Sequence, residues 1–220
     1  MKFVYLSPAV SAEMKRIKNE IVLSMNGIVA ESLQKQGLHY KQNYGVVVSR
    51  LCEIARRHSP NSQLAESLWF SGEREFMILA TMLQPLQEFT MENARKWLDQ
   101  VHNAELAEQL SFRLLSRLPF AVDIAHEAIQ MNDEWQQLIA LYILPRVAHN
   151  LTESQVCSFL TYICSLFDTQ HTLLFHAAAN TLQHFCDFHP QVVTNFPMSL
   201  QVENHPERLD FLRSIIEPRC

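Results

Sequence analysis

Residues 97–110 read WLDQVHNAELAEQL. Trp97, Leu98 and Val101 close one apolar run at helical spacing, and Leu106, Ala107 and Leu110 open the next. Outward from this stretch the same i, i+3, i+4, i+7 recurrence fills nearly every segment, with no alternating run of strand length. The pattern predicts helices over Ser11–Gln36, Val48–His58, Gln63–Phe70, Glu73–Leu83, Met91–Val101, Ala104–Leu118, Ala121–Met131, Asp133–Ala148, Glu153–Phe167, Thr172–Phe188 and Glu207–Ile216. The chain is therefore expected to be all-α.

Several starts carry a chemical signature. Thr90 precedes Met91-Glu92-Asn93, Asn132 and Asp133 precede an apolar run, and Thr152 precedes Glu153-Ser154. Each offers a side-chain oxygen to the orphan amides of a first turn. Pro119 and Pro190 fall where helices should begin or end, whereas Pro145 interrupts an apolar pattern and predicts a kink or an early stop. Helices pairing every thirty to forty residues or so point to a HEAT-like α-solenoid of antiparallel pairs, curved with a concave face. The repeats are not self-similar in sequence, so a non-repeating bundle is the competing architecture. No linker divides residues 1–220, which are expected to form one domain with a loose tail from Asn195 to Pro206.

Composition narrows the function. At 220 residues and 48% hydrophobic, the chain can fill a core without disulfides. Glycine occurs only at positions 27, 37, 45 and 72, so a Gly-rich phosphate loop is excluded beyond residue 72. Neither the dinucleotide nor the P-loop fingerprint occurs anywhere, and no cofactor is expected. Cys52, Cys157, Cys164, Cys186 and Cys220 form an odd set without C-x-x-C spacing, which reads as buried free thiols in a reducing cytoplasm. With no signal-peptide pattern and no membrane-length apolar run, a cytoplasmic location is expected. His176, Asn180 and His184 follow at i+4 steps but lack the further ligands of a zinc site, so no metal is expected.

In order along the chain, several segments resemble the AlkD-like DNA alkylation repair glycosylases, helical-repeat proteins of bacteria. Asn43-Tyr44-Gly45-Val46 leading to Leu51 and Ile54-Ala55 resembles the family's Gly-Val turn and first repeat helix. Leu64 to Trp69 with Ser71-Gly72, Glu75 and Ile78-Leu79-Ala80 resembles the next pair, with Met77 at the arginine of a Glu-x-Arg element. Asn103 to Glu108 resembles the catalytic stretch, with Ala104 in place of its Trp and Glu108 in place of its Asp. Asn132 to Trp135 and Ala177 to Gln183 extend the likeness, which is strongest over residues 40–185. Leu138 stands where the family offers an arginine, and Asn180 where a later tryptophan falls.

The resemblance implies removal of alkylated bases by a carboxylate that stabilises positive charge developing on the sugar. Glu108 is the candidate for that role, Arg113 and Arg117 for phosphate contacts, and Trp135 with Asn180 for walls of the DNA cleft. Glutamate's extra methylene displaces the carboxylate by about a bond length, and a misplacement of about 1 Å costs on the order of 100-fold. Glycosylase activity is accordingly expected to be reduced or lost.

Charge supplies a separate criterion, because duplex binding rests on phosphate neutralisation. Residues 1–120 hold fourteen Lys and Arg against twelve Asp and Glu, whereas residues 121–207 hold only Arg146 against nine acids. A phosphate grip is expected in the first half, with Lys15, Lys18, Arg56, Arg57 and Lys96 beside Arg113 and Arg117. Two functions compete. One is a DNA-repair-family protein that binds duplex DNA, the other a helical-repeat adaptor that binds a protein partner through its concave face. Trp69, Trp97, Trp135, Phe112, Phe120, Tyr142 and Tyr162 admit a base-stacking role, but their spacing reads as burial between helices, with Trp135, near a helix start, as the exception.

Overall fold

The first predicted helix is broken in the computed structural model, which describes residues 7–197 and 202–217. In place of one helix over Ser11–Gln36 stand α1 (Pro8–Leu23) and α2 (Gly27–Lys35). The break is local chemistry: the Asn26 side chain caps α2 by accepting from the Ile28 and Val29 amides, while its own amide donates to the Tyr44 carbonyl. Gly45, at φ 71°, lies under this corner, and a Cβ there would come within 2.0 Å of the Asn26 carbonyl oxygen. The Gly-Val turn seen in the sequence is thus a close approach that only glycine permits.

The other predicted helices form within a few residues of their expected bounds. They are α3 (Val48–Ala55), α4 (Ser62–Trp69), α5 (Arg74–Leu83), α6 (Met91–Leu98), α7 (Ala104–Arg113), α8 (Ala121–Ile129), α9 (Glu134–Val147), α10 (Glu153–Ser165), α11 (Thr172–Phe188) and α13 (Arg208–Ile216). The sequence reading missed α12 (Pro190–Asn195), which Pro190 opens at its first position. The expected caps are present: Thr90 and Thr152 each form a capping box, and Asp133 accepts from the Gln136 amide. Among the described residues there is no strand, only an isolated bridge between Gln42 and Glu73. No described helix is long and apolar enough to cross a membrane.

The helices group into two compact units, Met1–Arg117 and Leu118–Cys220. In the first, α5 packs against α3, α4 and α7, and it buries Arg74 through Thr81 and Leu83. Trp69 and Trp97 are fully buried there, stacked 4.4 Å apart and nearly parallel. The base-stacking reading of these two is therefore excluded by burial. His58, in the turn after α3, holds α1 in place: its Nδ1 lies 2.6 Å from Glu13 and its Nε2 3.0 Å from Glu20.

In the second unit α11 packs against α9, α10, α12 and α13. With Pro145 inside it, α9 ends two residues later at Val147 and continues as a 3-10 turn over Ala148–Asn150. Proline lacks the amide that would bond the carbonyl four residues back. That carbonyl belongs to Leu141, and the buried Thr181 Oγ1 of α11 lies 3.1 Å from it and 2.8 Å from the Ala177 carbonyl of its own helix, so its one proton is shared between the two.

Two expectations are corrected here. The tail is not loose throughout, since Val202 is buried and the Asn204 amide donates to Asp168 at 2.9 Å; residues 198–201 lie outside those described. Of the four described cysteines only Cys186 is buried, with Cys52, Cys157 and Cys164 half-buried and free; Cys220 lies outside the described residues. Burial still pushes the Cys164 thiol up to about 11, which leaves it unreactive at neutral pH.

Candidate nucleic-acid interface

The helix carrying Glu108 is held by a buried polar network. Asn103 caps α7 by accepting from the Leu106 amide at 2.9 Å. Glu105, in the first turn, receives Arg74 Nε at 2.9 Å and Nη2 at 2.5 Å. Arg74 Nη1 donates to Glu75 at 2.8 Å and to the Val46 carbonyl at 2.9 Å. Glu75 is completely buried and also accepts the Tyr44 and Val46 amides, each at 3.1 Å. The Tyr40 hydroxyl closes the set, 2.9 Å from Glu105 and 3.1 Å from Asn103. Burial works against the charge of Arg74, but the hydrogen bonds and charges of Glu105 and Glu75 outweigh it and raise its pKa. Burial first, and then the Glu105 charge, suppress ionisation of Tyr40. The network thereby fixes the start of α7 against α5 and the 40–46 loop.

With Leu106, Ala107, Leu110 and Ser111 buried, the opposite face of α7 is presented to solvent. Glu108 is exposed on that face, and Phe112, one turn on, is half exposed. Burial was expected for Phe112 from its spacing; the apolar stripe instead leaves it outside the core. Arg113 donates to Gln109 at 2.6 Å and lies 5.7 Å from the centre of the Phe112 ring. Arg117, in the 3-10 turn Leu115–Arg117, donates to the Arg113 carbonyl at 3.2 Å. Glu108, Arg113 and Arg117 are thus brought onto one helix and its continuation.

The remaining cations of the first unit are used differently. Lys18 pairs with Glu73 at 3.4 Å, Arg57 with Glu20 at 2.9 Å and Lys96 with Glu92 at 2.7 Å. Lys15 and Arg56 are exposed. Met77 is buried in the core of α5, and Ala104 is half-buried at the start of α7.

In the second unit Trp135 is half-buried in the first turn of α9. It lines a pocket of about 250 Å³ with Glu134, Leu138 and residues 170–174, where His171 approaches Glu134 at 3.1 Å. Asn180 is exposed further along α11 and does not line that pocket. Leu138 is buried. His184 lies 2.9 Å from the Asn180 carbonyl, which makes the His-Asn-His ladder part of a helix surface. Among the described residues no three His, Cys, Asp or Glu side chains are gathered to hold a metal ion.

Sequence reasoning missed the Arg74-Glu75-Glu105-Tyr40 network. Its signal was present in Glu73-Arg74-Glu75, three charges opening the most apolar run of the first half.

Among the described residues the fold is all-helical. The family described as DNA alkylation repair enzyme matches over residues 18–210, and the chain belongs to it. A solved structure, described as a new family of proteins related to the HEAT-like repeat DNA glycosylases with affinity for branched DNA structures, is similar in fold. Its TM-score is 0.72 at 16% identity, covering 92% of this chain and 82% of that one. No curated protein matches the chain. The expected HEAT-like helical fold is therefore established.

Proposed function

We propose that the protein binds DNA through the exposed face of α7, with glycosylase chemistry reduced or lost. The observation that carries this reading is the α7 surface itself. Glu108 is exposed on α7, Arg113 ends the same helix and Arg117 ends the turn after it, and the start of the helix is fixed by buried ion pairs. Membership of the repair family supports DNA as the partner, and the similar structure's affinity for branched DNA extends the candidates beyond continuous duplex.

In this reading Arg113 and Arg117 contact phosphates, and Glu108 stands where a sugar would pass. In the second unit it assigns Trp135 and Asn180 to DNA contact. The loss of chemistry follows from the longer Glu108 side chain and from Ala104, which offers no ring to the deoxyribose. The reading keeps the cytoplasmic location expected from the sequence.

A protein-binding adaptor is the second reading. Val22, Leu23, Met25 and Ile28 around the α1–α2 corner support it, being 42–87% exposed.

The test is binding of a fluorescent duplex and a branched DNA across a salt series, while base release from an alkylated duplex is scored. Expected are binding that weakens with salt and no release above the uncatalysed rate. Release abolished by Glu108→Gln would overturn the loss of chemistry. Absence of binding at low salt would overturn the DNA reading and leave the adaptor.

A further inference from the structure

We infer that Phe112 is a stacking platform for an unpaired base of the bound DNA, an assignment that rests on the DNA-binding reading above. A half-exposed aromatic is unremarkable when it stands alone on a polar surface. Phe112 does not stand alone. It follows Glu108 by four residues, so the two side chains are neighbours, with Cβ atoms about 5–6 Å apart. The Arg113 guanidinium lies 5.7 Å from its ring centre, and Arg117 is tied to the Arg113 carbonyl one turn on.

The ring is therefore set beside the Arg113 guanidinium on a face the core does not use. Leu106, Ala107, Leu110, Ser111 and Leu114 already make the buried side of the helix, and 50% of Phe112 stays in solvent. The other large apolar exposures described in this unit are Val22, Leu23, Met25 and Ile28 around a helix corner, Val47 at the start of α3 and Phe70 at the end of α4. An aromatic interleaved with arginines is what a single strand needs: phosphates meet the cations, and a base lays its π-face on the ring.

The substrate class follows from stacking. In a continuous duplex each base is covered by its neighbours on both sides, so Phe112 has no free face to meet. At a gap, flap or junction, or along a single strand, a base is free to leave the stack and take the ring as its new neighbour. Ala104 removes one aromatic from the start of α7; Phe112 supplies another two turns later, addressed to the base. Arg113, fixed through Gln109, orients the approach by holding the phosphate beside that base.

The test compares wild type with Phe112→Ala, Phe112→Leu and Phe112→Trp on three labelled probes: a single strand, a gapped duplex with 2-aminopurine opposite the gap, and an intact duplex of equal length. Thermal unfolding confirms that each variant is folded, as an exposed position predicts. Phe112→Ala and Phe112→Leu are expected to weaken single-strand and gapped binding about 10-fold, the stacking of one base, and duplex binding by less than about 2-fold. Leucine keeps the apolar bulk without the π-face, so its loss separates stacking from burial. Phe112→Trp is expected to restore affinity, and the 2-aminopurine signal change on binding should vanish in the alanine and leucine variants alone.

Wild-type affinity in Phe112→Ala, or equal losses on all three probes, would overturn the assignment while leaving DNA binding intact. A wild-type protein that binds none of the probes would overturn both the assignment and the reading beneath it.

Discussion

The helices at the centre of the two units, α5 and α11, are buried by different means. α5 opens with Arg74 and Glu75, both buried, and pins α7 and the 40–46 loop through charged hydrogen bonds. α11 buries Leu174, Phe175, Ala177, Ala178, Ala179, Leu182 and Phe185, with Thr181 as its buried polar group. Of the buried polar residues among those described, only Thr181 lies in the second unit. The surfaces differ as well: fourteen basic against twelve acidic residues in the first unit, four against eleven in the second. Apolar burial is non-directional, whereas a satisfied buried ion network admits one arrangement. The unit that carries the candidate interface is the one whose helix positions are individually specified.

The largest effect that can break this contrast is loss of Glu75. Glu75→Ala leaves the Tyr44 and Val46 amides without their acceptor and takes one of two carboxylates from Arg74, and should cost about 3–5 kcal/mol in chemical denaturation. Thr181→Val, the nearest equivalent in the second unit, leaves the Leu141 carbonyl bare beside Pro145 and should cost about 1–3 kcal/mol. Equal costs would dissolve the distinction between the units.

Gly45→Ala comes next, because its Cβ meets backbone atoms of α2 rather than a yielding side chain. About 2–3 kcal/mol is expected, from strain at a positive φ and from displacement of the α2 corner. A fall confined to the first unit, read by amide exchange, would sharpen the comparison; no change in stability would contradict it.

The smallest effect is acid loosening of α1. The hydrogen bond from His58, opposed by burial and assisted by the charges of His58 and Arg16, holds the Glu13 carboxyl below its ordinary value. A carboxyl lowered in the folded state contributes stability that is present above its unfolded pKa and is lost as pH falls through the folded one. Amide exchange in α1, corrected for intrinsic rates, should therefore speed up below the ordinary carboxylate range before exchange in α11 does. Simultaneous opening of both helices would show that the His58 contact is not what holds α1.

Much of the fold was legible because capping and apolar period are local. Thr90, Asp133 and Thr152 act as helix starts within three residues of themselves, so nothing distant was needed to read them. The break before α2 was not legible: Asn26 depends on the Tyr44 carbonyl, eighteen residues on in sequence, and helical spacing continues across the corner. Thr181 and Pro145 show the same limit, since a breaker was visible but the hydroxyl beside the freed carbonyl lay on another helix. The succession of Glu108, Arg113 and Arg117 along α7 and its 3-10 turn was legible because it is local. The Arg74-Glu105 pair was missed because charged side chains read as solvated until their partner is known. Phe112 was misread because aromatic spacing was taken for burial without checking which stripe of α7 the core uses.

We propose α7 of the first unit as the DNA-holding face. Its most direct test is the salt dependence of DNA affinity for wild type and for Arg113→Ala/Arg117→Ala. Two lost phosphate contacts should reduce the slope of log affinity against log salt by roughly 1.8 on duplex DNA, with the folded state unchanged. A slope and affinity identical to wild type would contradict the assignment and place the grip elsewhere on the molecule.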